Sequence, residues 1–158
     1  MTRVRVIGCG NIDAGDDALG LLAVRRVRPL LPEGVEVVEA GSGTHLVDLL
    51  QNIDGVVVVD AILAGIESNA GTIRLDVKVG EIPADVRTSL SSHGLGLPEA
   101  MMLAAAVGLP LPRIVILGLE ARDTEIGSGL SPEVAGQLDA LVQDIVHEVA
   151  VLTGALVP

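Results

Sequence analysis

Three acidic residues and one histidine are the side chains of this 158-residue chain best placed to do chemistry. The adjacent Asp16 and Asp17 follow a short apolar run and a glycine-rich turn, and Asp60 directly follows four valines. His93 lies in a short polar segment before a helical pattern. Two carboxylates and an imidazole are ligands that suit a divalent metal ion. These residues therefore indicate a metal site, provided that the fold brings them together.

The elements predicted around these residues alternate between strands and helices. This alternation predicts a three-layer α/β fold, with a mostly parallel, twisted sheet of about five strands and helices on both faces. The side-chain alternation of the fourth strand indicates an edge strand, which could run antiparallel. In such sheets ligands bind at the carboxyl ends of the strands, which is where the acids fall. The predicted strands cover 3–8, 35–39, 56–60, 71–79 and 113–118, the predicted helices cover 16–30, 45–52, 98–107 and a segment starting after Ser131, and 82–90 is ambiguous.

Two of these helices have a predicted inward face. The Ser131 hydroxyl should cap the last helix. The apolar residues at helical spacing should face inward, namely Leu19, Leu22, Ala23 and Leu30 in the first helix and Val134, Leu138, Leu141, Ile145 and Val149 in the last.

The composition limits the class of protein. The length predicts a single domain over residues 1–158, and the absence of Phe, Tyr and Trp requires an aliphatic core. A net charge of -11 and the lack of aromatic stacking platforms argue against a nucleic-acid partner. Neither a signal peptide nor a membrane span is predicted, so we expect a cytoplasmic monomer without a membrane partner.

The remaining cysteine and histidines have simpler interpretations. Cys9 is the single cysteine, which excludes an intrachain disulfide and a cysteine-based zinc cluster. It lies between two glycines at a predicted strand end, and we interpret it as a small buried hydrophobic residue. His147 falls in the last helix and should be solvated. His45 follows the second strand and is a further candidate for the crevice at the strand ends.

Each acid also has a structural alternative. Carboxylates at a helix N-terminus interact favourably with the helix dipole, so Asp16 or Asp17 could be a simple cap. Two adjacent acids also repel each other, which capping alone does not explain. Asp60 lies at the edge of a buried layer, where an unpaired carboxylate is costly, and this favours a functional role. The alternative for His93 is an ordinary surface histidine.

The pattern Gly8-x-Gly10 after a strand also suggests nucleotide binding. The third glycine of the dinucleotide fingerprint would fall at Asp13, and the acidic pair lies where a pyrophosphate needs bare backbone amides. Glu39, at the end of the second strand, does fit a ribose-binding acid. A phosphate-binding P-loop is excluded, because the only lysine is Lys78. A small nucleotide-binding domain therefore stays as an alternative.

Five motifs in this order and spacing resemble the hydrogenase maturation endopeptidases, which trim the C-terminal tail of a nickel-containing hydrogenase large subunit. The motifs are VIGCGN at 6–11, GDDALG at 15–20, VVDA at 58–61, SHGLGL at 92–97 and GLSPEV at 129–134. The resemblance covers nearly the whole chain. It implies an endopeptidase whose partner is the precursor of a hydrogenase large subunit.

The resemblance also implies roles for individual residues. The metal-contacting trio of the family corresponds to Asp17, Asp60 and His93, with Asp16 as a neighbour or helper. The metal is then nickel carried by the substrate, although another divalent metal could bind the free protein. Glu39 stands where the family often has aspartate, a departure expected to affect the substrate groove. The turn at 41–44 resembles a family loop, with His45 as a local variation.

Two mechanisms and one further function stay open. The chain has no HExxH helix and no serine elbow, which disfavours the usual zinc-protease and serine-hydrolase arrangements. Hydrolysis could use a carbonyl or water activated by the metal, or a general base supplied by Asp16 or Asp17. The other function is a non-hydrolytic, nickel-dependent docking or metallochaperone module for hydrogenase assembly.

Overall fold

The computed structural model describes residues 2–41, 46–62, 71–77 and 96–156. Within these ranges, five strands form one sheet, and helices pack on both of its faces, as predicted. The strands are β1 (Val4–Cys9), β2 (Glu36–Ala40), β3 (Gly55–Ile62), β4 (Ile73–Val77) and β5 (Arg113–Glu120). The helices are α1 (Leu19–Val27), α2 (Leu46–Leu49), α3 (Leu97–Ala106) and α4 (Pro132–Leu152), and short 3₁₀ helices at Gly15–Ala18 and Arg28–Leu30 flank α1.

The strand order is β2-β1-β3-β5-β4. The pairs β1–β2, β1–β3 and β3–β5 are parallel, whereas β4 pairs antiparallel with β5 at the sheet edge. The prediction of an antiparallel edge strand is therefore confirmed. Residues 78–79 of that predicted strand and the ambiguous segment 82–90 lie outside the described residues. Because β1, β3 and β5 are parallel, their carboxyl ends meet at one edge.

An aliphatic core lies on each face of the sheet, as the lack of aromatic residues requires. Helices α1 and α4 cover one face of the sheet, and the side chains of Val57 and Val59 in β3 lie on this face. Helices α2 and α3 cover the opposite face, over Val56 and Val58. The predicted inward positions of α4 are all buried, namely Val134, Leu138, Leu141, Ile145 and Val149. This helix begins as predicted, because the Ser131 hydroxyl caps it by accepting from the Val134 amide (3.4 Å).

Two glycines let α1 approach the sheet closely. A Cβ atom at Gly20 would lie 2.2 Å from the Cys9 carbonyl oxygen and 2.3 Å from that of Val59. A Cβ atom at Gly8 would lie 2.4 Å from the Gly20 carbonyl oxygen. The start of α1 therefore lies directly against the carboxyl ends of β1 and β3, and the preceding 3₁₀ helix carries Asp16 and Asp17 to the same edge.

Several predicted positions are wrong. The predicted helix 45–52 ends at Leu49, and the predicted strand 113–118 continues to Glu120. Residues 16–18 form a 3₁₀ turn rather than the first turn of an α-helix, because Gly15 has a positive φ of 56° and the turn is tied to another loop. Leu30 is 51% exposed rather than inward, since α1 ends at Val27 and the 3₁₀ turn around Pro29 changes the helical phase. Strand β3 continues to Ile62, so Asp60 lies within the strand and not at its end.

No helix in the described ranges is long and apolar enough to cross a membrane.

Candidate active site

Asp60 is a buried carboxylate at the carboxyl edge of the sheet. It is 8% exposed and lies opposite Gly118 of β5. Its Oδ1 atom makes no hydrogen bond to any group in the described part of the chain. The pKa of Asp60 is raised to about 8. Burial is the main cause and the nearby negative charge of Asp17 adds to it, whereas a hydrogen bond from the Ala61 amide acts to lower the pKa. A buried oxygen without a partner is rare in proteins and marks a place where a ligand would complete the site.

Asp17 supplies the second carboxylate from the 3₁₀ helix that precedes α1. It is buried, and its Oδ2 atom accepts a hydrogen bond from the Asn11 amide (3.0 Å). The chain wraps closely around it, because Gly10 has a φ of 138° and a Cβ atom there would lie 1.9 Å from the Asp17 carbonyl oxygen. Two carboxylates that influence each other in a buried environment repel, and a cation between them would remove the repulsion.

Asp16 has a different environment from its neighbour. It is fully buried, and its two oxygens accept hydrogen bonds from the Arg122 amide (2.8 Å), the Asp123 amide (3.0 Å), the Ser131 amide (2.7 Å) and the Ser131 hydroxyl (2.8 Å). Burial alone would raise its pKa, but the hydrogen bonds from Ser131, Asp123 and Arg122 outweigh burial and lower the pKa of Asp16. Asp16 therefore anchors the loop after β5, and Asp17 is the acid of the pair whose charge acts on Asp60.

His93 and His45 lie outside the described residues. The structure therefore brings together two members of the predicted trio, Asp17 and Asp60. Among the residues that it describes, no group of three or more His, Cys, Asp or Glu side chains could hold a metal ion. A complete metal site at this edge would need a further ligand. The sequence predicts His93 for that role, and this stays a prediction.

Cys9, which is predicted to be a small buried hydrophobic residue, is a neighbour of the site. It is only partly buried, and it packs against the core cluster under α2 and α3. Burial, and then the charges of Asp60 and Asp17, raise the pKa of the Cys9 thiol well above its usual value. The thiol is therefore protonated near neutral pH and is a poor nucleophile. In the sheet, Gly8 pairs with Val59, so Cys9 and Asp60 are the next residues of two neighbouring parallel strands.

The geometry argues against the nucleotide-binding alternative. Glu39 forms an ion pair with Arg25, with an oxygen–nitrogen distance of 2.7 Å, which holds the pKa of Glu39 below its usual range. The space beside Gly10 is filled by the backbone of Asp17, where a pyrophosphate would have to approach. His147 is exposed on α4, as predicted.

The loop 121–131 belongs to the site, although its sequence gives no signal of this. Ser131 was predicted as a helix cap, but its hydroxyl also donates to Asp16. This contact joins positions 115 residues apart in the chain. No local pattern signals it, because the donors on the loop are mainly backbone amides.

The fold and the two buried acids define an α/β protein with a polar site at the carboxyl edge of its sheet, and known proteins are similar to this chain in sequence and in fold. The model of the hydrogenase maturation protease (HycI) family matches residues 24–148. A putative hydrogenase maturation protease of Methanocaldococcus jannaschii is 33% identical over 150 residues, which are 92% of this chain and 96% of the relative. The hydrogenase 2 maturation protease of Escherichia coli is 27% identical, over 90% of this chain and 88% of its own length.

A solved structure gives the same result. The hydrogenase-maturating endopeptidase HybD from E. coli matches with a TM-score of 0.79 and 25% sequence identity, over 93% of this chain and 91% of the other. The chain therefore belongs to the hydrogenase maturation protease family and is a peptidase. This confirms the resemblance carried by the five sequence motifs.

Proposed function

We propose that this protein removes the C-terminal extension of a nickel-loaded hydrogenase large-subunit precursor, and that Asp17, Asp60 and His93 contact the nickel of that substrate. The observation that carries the proposal is the buried Oδ1 atom of Asp60, which has no hydrogen-bond partner among the described residues and lies near the charge of a second carboxylate, Asp17. A buried carboxylate is stabilised when a cation lies against it. A metal ion brought by the substrate would supply that cation only when the two proteins are in contact.

The chemistry of the donor set fits this role. Imidazole suits nickel, whereas carboxylates are harder ligands that neutralise its charge. Two carboxylates and one imidazole leave coordination positions for ligands that the precursor itself provides. The site would then distinguish a precursor that has received its metal from one that has not.

The residues of the chain have separate tasks in hydrolysis. The substrate's nickel can polarise a carbonyl group or a water molecule. In the alternative mechanism Asp17 is the general base instead of a nickel ligand. Asp17 is preferred to Asp16 for this task, because the two oxygens of Asp16 already accept four hydrogen bonds that anchor the loop after β5. Asp16 holds the 3₁₀ helix, and thereby Asp17, against the loop after β5.

Release of the tail from purified precursor tests the proposal. Nickel-loaded and nickel-free precursor are each incubated with the protein, and the released peptide is detected by mass spectrometry. We expect release from the nickel-loaded form alone, and loss of release in Asp17→Asn, Asp60→Asn and His93→Ala. Asp139→Asn is the matched control, because Asp139 is 89% exposed and pairs only at the surface with Arg26.

Two outcomes would contradict the proposal. Normal tail release by all three site variants would show that these residues are not required. A stable nickel-dependent complex in which the precursor stays intact would instead identify a docking or metallochaperone module without hydrolysis.

A further inference from the structure

Two exposed isoleucines lie at the carboxyl edge of the sheet, on the two turns that frame Asp17. Ile12 is 42% exposed, and Ile126, at 75%, is the most exposed large hydrophobic side chain in the described ranges. The turns are joined directly, since the Gly127 amide donates to the Asp13 carbonyl oxygen (2.7 Å). Single exposed apolar side chains are common on protein surfaces, so exposure alone does not indicate a function.

The turn that carries Ile12 is held at several points. The Ala14 amide donates to the Asn11 carbonyl oxygen (3.2 Å), and the Asp13 amide donates to the Asn11 side-chain oxygen (3.0 Å). The Asn11 amide in turn donates to the Asp17 carboxylate. Ile12 is therefore fixed at the second position of a turn that is bonded to a residue of the site.

The turn that carries Ile126 is held in a similar way. Both the amide (3.3 Å) and the hydroxyl (2.8 Å) of Ser128 donate to the Glu125 carbonyl oxygen. Gly127 occupies the third position with a φ of 83°, which glycine adopts without strain. The Glu125 amide donates to the Asp123 carboxylate (2.9 Å), and the Asp123 carbonyl oxygen accepts from the Asp16 amide (2.7 Å). This turn is thus anchored to the same 3₁₀ helix.

We propose that Ile12 and Ile126 form a docking surface for the precursor, which seats an apolar segment next to the bond to be cleaved. This inference rests on the proposed function. Ile12 directly follows Asn11, whose amide holds the Asp17 carboxylate, so a peptide bound at the two acids lies within reach of the Ile12 side chain. Side chains carried on rigid turns lose little conformational freedom on binding, which makes their apolar surface effective.

The charges around the docking surface indicate what its occupant carries. Asp13 and Glu125 are exposed beside the two isoleucines, on a chain of net charge -11. Complementary charge favours association, so the apolar segment of the precursor should be flanked by basic side chains.

Kinetics of tail release from nickel-loaded precursor test the docking surface. In the double variant Ile12→Ser/Ile126→Ser, we expect KM for the precursor to rise about tenfold or more, because a few buried apolar anchors dominate such interfaces. The value of kcat should stay within about twofold, since no group that touches the reacting atoms is removed. The matched control is Leu30→Ser, which truncates another exposed apolar side chain at the far end of α1 and should leave both constants unchanged.

The role of charge has its own test. Glu125→Gln keeps the turn, because the turn uses the backbone of Glu125 and not its carboxylate. We expect a higher KM at low salt and a smaller difference from wild type at high salt. An unchanged KM at low salt would contradict the basic flanking residues.

The outcomes separate this inference from the proposed function. If the wild-type protein releases the tail and the double variant has an unchanged KM, the docking surface is wrong and the proposed function stands. If the wild-type protein releases no tail, the proposed function is wrong. In that case, calorimetry of precursor binding still tests the docking surface. Weaker binding by the double variant than by the wild type would support the docking surface, and equal binding would overturn it.

Discussion

The carboxylate of Asp60 is buried where a charge is costly, and the nearby charge of Asp17 is also negative. In an unfolded chain its pKa is close to the usual 3.8, whereas folding raises it to about 8. Between these two values the folded protein holds a proton that the unfolded chain releases. The contribution of Asp60 to stability is therefore fully present below about pH 4 and is lost as the pH rises toward 8.

Replacing Asp60 with asparagine should separate stability from activity. We expect Asp60→Asn to have a larger free energy of unfolding than the wild type at pH 8, because the neutral amide avoids the buried charge. The difference should decline on acidification by up to about 1.4 kcal/mol per pH unit and vanish near pH 4. Urea unfolding followed by far-ultraviolet circular dichroism measures it. A variant that is less stable than wild type at pH 8 would show that Asp60 is compensated in the free protein.

Replacing Asp16 should have the opposite effect on stability. In the wild type, backbone amides donate to the Asp16 carboxylate, whereas in Asp16→Asn the side-chain NH₂ group would be a donor facing those donors. We therefore expect the free energy of unfolding to fall by about 2–4 kcal/mol. Because folding lowers the pKa of Asp16, its contribution is present above the usual value of 3.8 and is lost as the pH falls through the folded value. The same unfolding assay at neutral pH measures the loss, and the exposed Asp139→Asn should change stability by about 0.5 kcal/mol or less. Equal stability of Asp16→Asn and wild type would contradict the anchoring role.

The sequence predicts that Asp16, Asp17 and Asp60 lie at the site, but it does not show that Asp16 and Asp17 have different hydrogen-bond partners. The four valines before Asp60 were sufficient to predict a carboxylate at a buried edge. Asp16 and Asp17 have nearly the same local context, and only the folded chain brings the amides of residues 122, 123 and 131 to one of them. Strand β3 was predicted too short because Ala61 and Ile62 were assigned to the loop after Asp60.

At the scale of elements, the contact between α1 and the sheet determines where Asp16 and Asp17 lie. Gly20 lies against two backbone carbonyls, of Cys9 and Val59, and neither can move without breaking the pairing of β1 with β3. Any side chain at this position must displace the start of α1. Such a displacement would also move the 3₁₀ helix that carries Asp17.

A single methyl group at Gly20 should therefore be costly. We expect Gly20→Ala to lower the free energy of unfolding by about 3 kcal/mol and to reduce tail release. Gly136→Ala is the control, since Gly136 lies within α4 with no atom in the way of a Cβ. It should stabilise the protein by about 0.5–1 kcal/mol through the better helix propensity of alanine. Equal stability of Gly20→Ala and wild type would show that α1 can shift freely on the sheet.

The elements that were predicted well are those whose signals are local. Helix α4 has a cap, a proline at its first position and apolar residues at helical spacing, all within one stretch of sequence. The start of α1 was missed because it depends on Gly15, whose positive φ places it against the Asp123 carbonyl oxygen. A Cβ atom there would lie 2.3 Å from that oxygen, a restriction that no neighbouring residue reveals.

At the scale of the whole molecule, two aliphatic clusters share one sheet. Helices α1 and α4 cover the first cluster, whereas α2 and α3 cover the second. Because every central strand contributes to both clusters, neither should unfold without the other. We therefore expect one cooperative transition, which would support the prediction of a single domain.

Scanning calorimetry is the suitable measurement, because the chain has no tryptophan or tyrosine to report unfolding by fluorescence. The calorimetric and van't Hoff enthalpies should agree, at about 0.7 kcal/mol per residue near 60 °C. Two resolved transitions would contradict a single cooperative unit.

The anchor between Asp16 and Ser131 also has a consequence for the time at which the enzyme becomes active during its synthesis. The two residues are 115 positions apart, so the carboxylate meets its hydroxyl and amide donors only after most of the chain has been translated. A nascent chain that has emerged as far as β3 already contains Asp16, Asp17 and Asp60, but the loop after β5 that anchors Asp16 has not yet been synthesised. Completion of the polypeptide, rather than appearance of the acidic residues, therefore determines when it can first engage a precursor.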